Sequence, residues 1–474
     1  MEGDKLQNNY KMILMTEKID ELIKSFPDLT WISHSDDLYK YASDYTEDFV
    51  FPPHAVLIPS SAEEISLVIK YCNEKKIYVT VRGAGTGLSG AALPVYGGLV
   101  ISTEKLNRIL SIDYNNMMAT VEPGVINADL KLAVSEVGLY YPPDPASMGS
   151  STIGGNVAHS AGGPKAVKYG ITRDYILNLE VVLANGDIIW TGANTLKNST
   201  GFNFTQLFIG SEGLLGVITK IVVKLVPLPT QELLMVAAFS NIFDSAVAVN
   251  KIMASSIKPA AIELMEASGI KISMEATKTS FPLVEGAQAY LLFAFDGFDG
   301  DDLFSQVESI YPLLDETGAI EILPAPNSDV AQQWWKVRRS IGETVKQHSV
   351  YKEEDTVVPR FALPQLLTKV KEIGNLYGFE TVCYGHAGDG NLHVNILKND
   401  LSDEFWNIEI PKAIRQIFQV CKSLGGTISG EHGIGYSQKD YLNEVLSNQH
   451  ISLMKGVKKV FDPNGILNPG KWVE

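Results

Sequence analysis

Residues 384–395, YGHAGDGNLHVN, constrain the fold more than any other stretch of this chain. Asp389-Gly390 is a signal for a two-residue type I′ turn between two apolar runs, so the segment is predicted to form a β-hairpin. If those two residues form the loop, His386 lies opposite His393 on the neighbouring strand. Directly opposed residues share one face, with Cβ atoms roughly 4.5–5.5 Å apart. The pattern therefore predicts two imidazoles close enough to bind one metal ion.

A second segment, SGEHGIG at residues 429–435, adds a Glu-His pair in a glycine-rich loop. Glu431 offers a carboxylate as third ligand, and Asn395 points to the same face as His393 because side chains alternate along a strand. Three protein ligands and an open position are typical of a catalytic metal site. A lone histidine more often packs or hydrogen-bonds than binds metal, but the clustering with Glu431 and His432 favours a metal or catalytic role.

The composition is that of an ordinary globular protein of two or three domains. The chain has 474 residues, 45% hydrophobic and 20% charged, too many for one typical core. Its 39 basic and 55 acidic residues give a net charge of −16, which disfavours nucleic acid and anionic membrane surfaces as partners.

The three cysteines, Cys72, Cys383 and Cys421, are scattered. Three separated cysteines form no disulfide framework, which favours a reducing compartment. They also cannot supply the four ligands of a four-cysteine iron–sulfur cluster. No apolar run reaches the ~18 residues of a transmembrane helix, and the first residues lack the apolar core of a secretory signal. A cytoplasmic location is expected, with attachment to the inner membrane through a partner as an alternative.

The hydrophobic periodicity predicts two successive sets of elements. Helices are expected at 15–25, 61–76, 243–256, 302–317, 363–378 and 409–424, and strands at 77–81, 98–102, 117–122, 179–184, 187–191, 217–226, 233–239, 288–295 and within 381–396. Ser61 and Glu64 form a capping-box pattern at the start of one helix. PLPT at 227–230 ends a strong strand, so the predicted domains are 1–230 and 231–474.

A glycine-rich loop, residues 85–90, matches GxGxxG after a strand, with Glu104 near the place of a ribose-binding acid. This arrangement resembles a nicotinamide-binding Rossmann unit. We reject that interpretation, because the motif must open a helix and the following AALPVYGG is incompatible with one. The small residues still let backbone N–H groups converge on an anion, although an ordinary tight loop is the alternative.

Two further glycine clusters, TIGGN at 152–156 and GSEGLLGVIT at 210–219, lie in the same region. Residues 141–172 form a long loop-rich stretch, which within a compact domain is more typical of a functional loop system than of a linker. Three glycine loops indicate a large, flat, phosphorylated cofactor contacted by the main chain. FAD fits that description.

These motifs together resemble a known family. The N-terminal motifs resemble the FAD domain of the vanillyl-alcohol-oxidase/PCMH flavoprotein superfamily, and they are RGAGTGLSG (82–90), VEPGV (121–125), YYPPDPAS (140–147), TIGGN, AGG with KYG and TRD (161–174) and GSEGLLGVIT. YGHAGDGNLHVN, SGEHGIG and DPNGILNPGK (462–471) resemble the FAD-oxidase C-terminal domain of the same proteins. The combination resembles the D-2-hydroxyacid dehydrogenase branch, which includes the flavin subunit of glycolate oxidase, FAD-linked D-lactate dehydrogenases and D-2-hydroxyglutarate dehydrogenases.

The resemblance implies an α+β fold, with a two-lobed PCMH-type FAD-binding domain and a ferredoxin-like cap domain. It implies a divalent metal on His386, His393 and Glu431, namely zinc as in the hydroxyglutarate enzymes, or alternatively iron or manganese. Asn395 would contact substrate, and His432 would be the general base. The residues it places against FAD come mainly from the glycine loops: Arg82, Gly83, Ala84, Gly85, Thr86, Gly87, Pro143, Asp144, Ser147, Thr152, Gly155, Asn156, Gly162, Gly163, Glu212, Gly213, Gly216, Val217, Ile218, Asn391 and Asn468.

Two departures from the family pattern matter. Covalent members of the superfamily carry a flavin-linking histidine where this chain has Thr86, so non-covalent FAD is expected. The hydroxyglutarate branch has an Arg, a Thr four residues later and a Lys as substrate contacts. Arg338 matches the Arg, whose planar fork suits a carboxylate, but Gly342 replaces the Thr. Lys352 matches the Lys only if the alignment with the family pattern contains a gap. If that alignment shifts by one residue, Arg339 matches the Arg in place of Arg338.

The resulting mechanistic hypothesis is oxidation of a small D-2-hydroxy acid. Arg338 anchors its carboxylate, the metal lowers the pKa of its hydroxyl, His432 removes that proton, and the C2 hydride passes to flavin N5. D-lactate is favoured over glycolate, with hydroxyglutarate third. Electrons then pass to an external acceptor, which is a quinone, an electron-transferring flavoprotein, a cytochrome or an iron–sulfur subunit. A homodimer is one assembly compatible with the pattern.

Other classes of function are compatible with parts of the pattern. A metal-dependent hydrolase would use the same His/His/Glu/His set and bind no flavin. A non-redox relative would hold FAD as a scaffold, as in the alkyl-glycerone-phosphate synthase branch. A flavin-binding electron-transfer subunit would not need the metal and base residues.

Overall fold

The structure of the protein is a computed structural model that describes residues 2–46 and 49–473, with side chains from residue 13 onward. The α-helices in the described residues are α1 (Glu2–Ser25), α2 (Ser35–Leu38), α3 (Ala62–Lys75), α4 (Asn127–Ser135), α5 (Ile153–His159), α6 (Ala166–Tyr169), α7 (Phe204–Phe208), α8 (Ile242–Met253), α9 (Ala267–Thr277), α10 (Gly300–Asp315), α11 (Ser328–His348), α12 (Leu363–Tyr377), α13 (Asp403–Ile408), α14 (Ile410–Ser423), α15 (Leu442–Val445) and α16 (Asn448–Phe461).

The strands of the same residues are β1 (Trp31–Ile32), β2 (Ala55–Leu57), β3 (Val79–Arg82), β4 (Leu99–Ser102), β5 (Ile109–Asp113), β6 (Met118–Val121), β7 (Leu139–Tyr140), β8 (Ile176–Val182), β9 (Ile188–Trp190), β10 (Val217–Lys224), β11 (Val226–Pro227), β12 (Gln231–Phe239), β13 (Ala261–Glu266), β14 (Ala289–Gly297), β15 (Ala319–Pro324), β16 (Tyr351–Val357), β17 (Glu380–His386) and β18 (Asn391–Leu397). Short 3₁₀ turns lie at Tyr39–Tyr41, Thr172–Tyr175, Arg360–Ala362 and Lys439–Tyr441.

Most of the sequence-based elements are found close to their expected positions, but the helix expected at 15–25 begins already at Glu2. The helix expected at 61–76 is α3, and the Ser61 hydroxyl accepts a hydrogen bond from the backbone N–H of Glu64 at 3.2 Å, which confirms the predicted cap. Asn185-Gly186 joins β8 to β9 as an antiparallel pair. No helix follows the first glycine loop within residues 83–98, so the rejection of a Rossmann unit is confirmed.

The chain divides into two compact units that are discontinuous in sequence. Unit 1 comprises residues 1–161, 171–228 and 431–474, and unit 2 comprises 162–170 and 229–430. The sequence analysis divided the chain once, at 230/231. The division into units adds three chain crossings to that scheme, at 161/162, 170/171 and 430/431, and the assignment of domains stays a prediction.

Unit 1 is built on two main sheets, which correspond to the two lobes expected for its fold. The first has the strand order β1-β2-β4-β3, with β2, β4 and β3 parallel. The second has the order β5-β6-β10-β8-β9 and is antiparallel. The apolar face of α3 packs in the core with the first sheet, because Ile65, Val68 and Ile69 recur at helical spacing and are fully buried.

The C-terminal residues complete the core of unit 1. Leu467 bridges Val79 of β3 in parallel, and the backbone N–H of Asn468 donates to the Val79 carbonyl at 2.6 Å. The ammonium of Lys471 is buried and donates to two main-chain carbonyls, those of Gly90 at 2.8 Å and Leu93 at 2.6 Å. The DPNGILNPGK segment therefore packs against the first glycine loop and its preceding strand.

Unit 2 contains one seven-stranded antiparallel sheet of order β15-β12-β14-β13-β17-β18-β16. Its first four strands, with α8 after β12 and α10 after β14, follow the β-α-β-β-α-β order of a ferredoxin-like fold, with α9 as an additional helix between β13 and β14. Three further strands extend the sheet from β13. The long helix α11 packs against α9, and its Trp334, Val337 and Ile341 lie in the core of this unit.

The hairpin of β17 and β18 forms as expected, but the predicted register is wrong. His393 lies opposite Tyr384 and not His386, because the connection spans the four residues Ala387–Gly390. Gly390 has φ +85° while Asp389 has a negative φ, so the two residues do not form a type I′ turn, which requires positive φ at both. The shift is two residues, and the side-chain period is also two, so His386 and His393 still share one face.

In the part of the chain that the structure describes, every helix is either too short or too polar to cross a bilayer.

Candidate active site

A cleft of about 1290 Å³ lies in unit 1. Its walls come from the three glycine loops and from the SGEHGIG loop: Val81, Gly83, Ala84, Gly85, Thr86, Gly87, Leu88, Ala91, Ala92, Thr103, Pro123, Pro145, Ala146, Ser147, Thr152, Gly154, Gly155, Asn156, Ala158, His159, Ala161, Ser211, Glu212, Gly213, Gly216, Ile218, Glu431 and His432. The cleft is large and lined mainly by small residues, so main-chain groups reach its interior, as a phosphorylated cofactor requires.

Two glycines on the cleft wall are required by close packing. A Cβ at Gly83 would lie 2.4 Å from Oγ1 of Thr152, and a Cβ at Gly154 would lie 2.5 Å from Cβ of Pro123. Gly85 has φ +73°, a left-handed conformation that favours glycine. Thr152 is the N-cap of α5 and accepts from the N–H of Gly155 at 3.2 Å. The glycine loops thus hold the wall in place without filling the cleft.

Most of the residues that the sequence placed against FAD line this cleft. They are Gly83, Ala84, Gly85, Thr86, Gly87, Ser147, Thr152, Gly155, Asn156, Glu212, Gly213, Gly216 and Ile218. The remaining ones in unit 1 are buried and do not form the cleft wall: Arg82, Pro143, Asp144, Val217 and Asn468. Gly162, Gly163 and Asn391 belong to unit 2. The cofactor-binding role of each residue stays a prediction.

Buried polar atoms in and around the cleft indicate what it binds. The side-chain nitrogen of Asn156, on the cleft wall, and Nη1 of Arg82 are buried and have no hydrogen-bond partner among the described residues. Buried donors are normally satisfied, so these two fit a ligand rich in acceptor oxygens. The chemistry and the glycine-lined wall of the cleft both fit FAD.

His159 also lines the cleft, and the sequence analysis missed it. It ends α5, and its Nδ1 lies 2.9 Å from the carbonyl oxygen of His432. Because a carbonyl oxygen only accepts, Nδ1 is the protonated nitrogen and donates this bond. A histidine three residues after the TIGGN cluster was the signal that could have identified it.

Glu212 holds the loop that carries His432. Its carboxylate accepts from the backbone N–H groups of Ile434 and Gly435, both at 2.7 Å, and from the indole N–H of Trp472 at 2.9 Å. Glu212 adopts φ +51°, which is uncommon for a residue other than glycine. A Cβ at Gly433 would lie 2.6 Å from Oε1 of Glu212. The Glu212 carboxylate therefore fixes the loop that carries His432. Glu212 has this structural role in addition to its predicted contact with FAD.

Glu212→Gln is expected to lower the free energy of unfolding by about 1–3 kcal/mol, because the amide turns an acceptor into a donor that faces an N–H group. Chemical denaturation of the purified protein measures the change, with the exposed Glu136→Gln as the control. Equal stability of the wild type and Glu212→Gln would contradict the role of this carboxylate.

In unit 2, one face of the sheet gathers polar side chains from four strands. Glu263 of β13 is in register with His386. His393 of β18 is in register with Tyr384 on one side and with Asp355 of β16 on the other. Side chains in direct register share a face, so this cluster follows from the strand pairing. Every one of these five residues is buried.

The two histidines of the hairpin lie as a metal pair would. Their ring centroids are 5.5 Å apart with the rings nearly perpendicular, and each offers a nitrogen within 4.8 Å of the other. Nδ1 of His386 lies 2.8 and 3.0 Å from the two oxygens of Glu263. Burial acts to raise the pKa of the Glu263 carboxyl, but the charges of Arg338 and His386 outweigh it and hold that pKa below its usual range. Glu263 thus accepts a proton held by His386.

Two asparagines complete this face of the sheet. Asn395 is fully buried, and its side-chain oxygen has no hydrogen-bond partner among the described residues. Asn391 donates to Asp355 at 2.7 Å and to the carbonyl of Thr356 at 2.9 Å, within unit 2. Asp355 also accepts from the backbone N–H of Gly430 at 2.9 Å. Asp355 and Asn391 therefore anchor the end of unit 2 directly before Glu431.

Arg338 projects from α11 into the same cluster. It is buried, its Nη2 forms an ion pair with Glu263 at 2.5 Å, and its guanidinium lies over the Tyr384 ring at 5.0 Å. Its Nε has no hydrogen-bond partner among the described residues. The alternatives raised by the sequence lie elsewhere: Arg339 stacks on Trp335, and Lys352 is in register with Ile396, on the opposite face from His393.

The donor set of unit 2 fits a divalent metal. Zinc accepts imidazole nitrogens together with carboxylate oxygens. A histidine that binds metal through one nitrogen usually donates its other N–H to a carboxylate, and His386 has that arrangement with Glu263. The metal ligands stay a prediction.

Comparison with known proteins gives two family matches and many related chains. Residues 53–192 match the family model described as FAD binding domain, and residues 228–472 match that of FAD linked oxidases, C-terminal domain. The glycolate oxidase subunit GlcD of Bacillus subtilis (strain 168) is 39% identical over 432 residues, 91% of each chain. The D-lactate dehydrogenase of Anaerostipes hadrus is 39% identical, over 88% of this chain and 89% of its own. The D-2-hydroxyglutarate dehydrogenase of Stutzerimonas stutzeri (strain A1501) is 33% identical, over 96% and 98%.

Solved structures share the fold at low sequence identity. p-Cresol methylhydroxylase with bound substrate superimposes with a TM-score of 0.78 at 18% identity, over 96% of this chain and 97% of its own. 4-Ethylphenol oxidase from Gulosibacter chungangensis gives 0.76 at 18% identity, with the same coverage. These likenesses and the two family matches confirm the predicted fold class, a PCMH-type FAD-binding domain with an FAD-oxidase C-terminal domain.

Proposed function

The chain belongs to the family of FAD-linked oxidases and is an FAD-dependent oxidoreductase, and on that premise we propose that it oxidises a small D-2-hydroxy acid to the corresponding 2-oxo acid. D-lactate is the favoured substrate and glycolate the second. Relatives bearing the names glycolate oxidase subunit and D-lactate dehydrogenase support this substrate class. The observation that carries the proposal is the buried guanidinium of Arg338 within the cluster that contains the two hairpin histidines.

Arg338 is the proposed anchor for the substrate carboxylate. A buried N–H without a partner is costly, and Nε of Arg338 is such a donor among the described residues. A carboxylate supplies two acceptor oxygens to a guanidinium fork. The ion pair with Glu263 holds the guanidinium in one orientation before substrate binds.

His386 and His393 are the proposed metal ligands of unit 2, with zinc favoured over iron and manganese. Glu431 is the proposed carboxylate ligand because it follows Gly430 directly in the chain, and Gly430 is fixed by its hydrogen bond to Asp355. A bound divalent cation supplies Lewis acidity, which lowers the pKa of a hydroxyl group. Asn395 offers its buried side-chain oxygen to the substrate.

His432 is the proposed general base. It lines the cleft of unit 1, and its main chain is held by the hydrogen bond from His159 and by the neighbouring contacts of Glu212. An imidazole gains and loses a proton near neutral pH, so its side chain suits removal of the substrate hydroxyl proton. FAD, when bound, supplies the acceptor for the hydride from C2. Thr86 stands at the place of the flavin-linking histidine, so non-covalent FAD is proposed.

Tyr384 favours a small substrate over hydroxyglutarate. A Cβ at Gly342 would lie 2.6 Å from the Tyr384 hydroxyl, so the phenol occupies the space that a threonine side chain would need there. Burial is the main factor that raises the pKa of Tyr384 well above its usual range, followed by the nearby Glu353. The neutral hydroxyl donates to Glu353 at 2.9 Å. The tyrosine therefore takes the place of the threonine that contacts substrate in the hydroxyglutarate branch.

The remaining proposals concern the partners of the reaction. Electrons leave the flavin for an external acceptor, a quinone, an electron-transferring flavoprotein or an iron–sulfur subunit. A cytoplasmic location and a homodimer remain proposals that follow from the sequence.

The decisive experiment is anaerobic. The purified protein is analysed for visible absorbance and metal content, and then receives D-lactate, L-lactate, glycolate and D-2-hydroxyglutarate in separate cuvettes. Bleaching of the flavin band by D-lactate, which disappears after EDTA treatment, is the expected result. Bleaching by D-2-hydroxyglutarate alone would favour hydroxyglutarate, the third candidate substrate, which is supported by the relative at 33% identity. Bound flavin that no hydroxy acid reduces would overturn the proposed function.

A further inference from the structure

Glu263 is a charged residue in the middle of a strand that is apolar up to its last residue, Glu266. It lies in β13, AIELME, where alanine, isoleucine, leucine and methionine pack in the core. Its side chain has no exposed surface, and burying a carboxylate is expensive unless it is paired and hydrogen-bonded. The fold therefore keeps Glu263 for the contacts that its carboxylate makes.

Those contacts join two groups with different proposed roles. Both oxygens approach Nδ1 of His386, at 2.8 and 3.0 Å, and Oε2 lies 2.5 Å from Nη2 of Arg338. One carboxylate thus touches a proposed metal ligand and the proposed substrate anchor. The other acids of this face have different partners: Glu353 accepts from Tyr384, and Asp355 accepts from Asn391 and Gly430.

The contact with His386 determines which nitrogen faces a metal. A carboxylate accepts from Nδ1–H, so the lone pair of His386 is on Nε2. The charge of the carboxylate also increases the basicity of the ring, which strengthens its bond to a cation. Removing the negative charge should weaken metal binding.

The contact with Arg338 has the opposite consequence for an anionic substrate. Glu263 neutralises part of the positive charge that the guanidinium presents, because its Oε2 lies 2.5 Å from Nη2. Removing the negative charge should therefore strengthen the attraction between Arg338 and a carboxylate.

We propose that Glu263 is a positioning residue that orients and activates His386 for the metal while it moderates the charge of Arg338 toward the substrate. The inference rests on the proposed function, because it takes the metal and carboxylate sites from there. One buried carboxylate would thus increase the affinity for the metal and decrease the affinity for the substrate carboxylate. A residue that only held the fold together would affect both affinities in the same direction.

The test uses FAD-loaded protein and the variant Glu263→Gln. Zn²⁺ affinity is measured by competition with a chromophoric chelator, and pyruvate binding to the oxidised, Zn²⁺-saturated protein is measured by calorimetry. We expect the variant to bind Zn²⁺ about 10–100-fold more weakly and pyruvate more tightly than the wild type does. Neither measurement requires turnover.

Glu266→Gln is the matched control. Glu266 lies on the same strand, where it pairs with Lys371 at 2.6 Å and accepts from the backbone N–H of Cys383 at 2.6 Å. It touches neither His386 nor Arg338, so both affinities should stay at the wild-type level. If Glu263→Gln does not fold, Glu263→Asp retains the charge but is one methylene too short to bridge both groups, and its Zn²⁺ affinity should still fall.

The outcomes separate this inference from the proposed function. Unchanged Zn²⁺ affinity in the Glu263 variants, or weaker binding of both Zn²⁺ and pyruvate, overturns the role of Glu263 and leaves the proposed function standing. A wild-type protein that binds no divalent metal overturns the proposed metal site and this inference with it.

Discussion

Replacing His432 with glutamine is expected to slow the reduction of the flavin by D-lactate by about 10²–10⁴-fold, the usual contribution of a positioned general base. Glutamine cannot take up a proton near neutral pH, whereas imidazole can. FAD content should not change, because the His159 contact uses the main-chain carbonyl of residue 432. Stopped-flow absorbance under anaerobic conditions gives the rate, and the visible spectrum gives the flavin content.

His450→Gln is the control for this variant. His450 is an exposed histidine of α16, so its replacement should leave the rate and the flavin content at wild-type values. If His432→Gln lost flavin and activity in the same proportion, the residue would support the cofactor site and would not be the base.

The second large effect is expected for Arg338→Met, which should raise the KM for D-lactate and lower the free energy of unfolding by about 3–5 kcal/mol. The loss of stability follows because Glu263 keeps a buried charge without its cation. Both residues are almost fully buried, so solvent cannot replace the lost partner. Steady-state kinetics and chemical denaturation measure the two effects.

The double variant Arg338→Met/Glu263→Gln distinguishes the two consequences. Removing both charges should restore most of the stability, because replacing a whole buried ion pair is often close to neutral. It should not restore the KM, because the carboxylate anchor is still absent. Arg339→Met, which removes only the stacking on Trp335, is the matched control and should leave the KM unchanged. A normal KM in Arg338→Met would assign the anchor to another residue.

The hairpin illustrates how far local sequence rules reach. The turn residues and apolar runs of YGHAGDGNLHVN predicted the strands and the shared face of His386 and His393, and both are present. The predicted register was wrong because the turn has four residues and not two. The two turn lengths differ by an even number of residues, so the two histidines still lie on one face. Periodicity alone therefore predicts which side chains gather, but not which ones are directly opposite.

Contacts between residues far apart in the sequence were harder to predict. Glu263 and His386 are 123 positions apart, and no rule of spacing connects them. A glutamate between the apolar residues of AIELM, Glu263, was a detectable signal, because a buried carboxylate needs a partner. His159 and the loop-holding role of Glu212 were missed for the same reason, since their contacts with 432–435 depend on the folded path of unit 1.

The glycine loops were the easiest part of the site to predict. The glycine motifs and the family resemblance that they carry were enough to predict it, and thirteen of the expected FAD residues line the cleft. The residues that do not line it, such as Arg82 and Asn468, are buried in unit 1, and side-chain direction at such positions depends on packing that sequence patterns do not specify.

The late residues of the chain give unit 1 a particular order of assembly during synthesis. Asn468 donates to the carbonyl of Ala91, 377 positions earlier, and Leu467 bridges Val79 in the first sheet. Every residue of unit 2 precedes residue 431, so unit 2 has all its strands outside the ribosome before unit 1 can close. A chain cut before Leu467 would therefore keep every strand of the seven-stranded sheet but lose the bridge to Val79 and the hydrogen bond to Ala91 that complete unit 1.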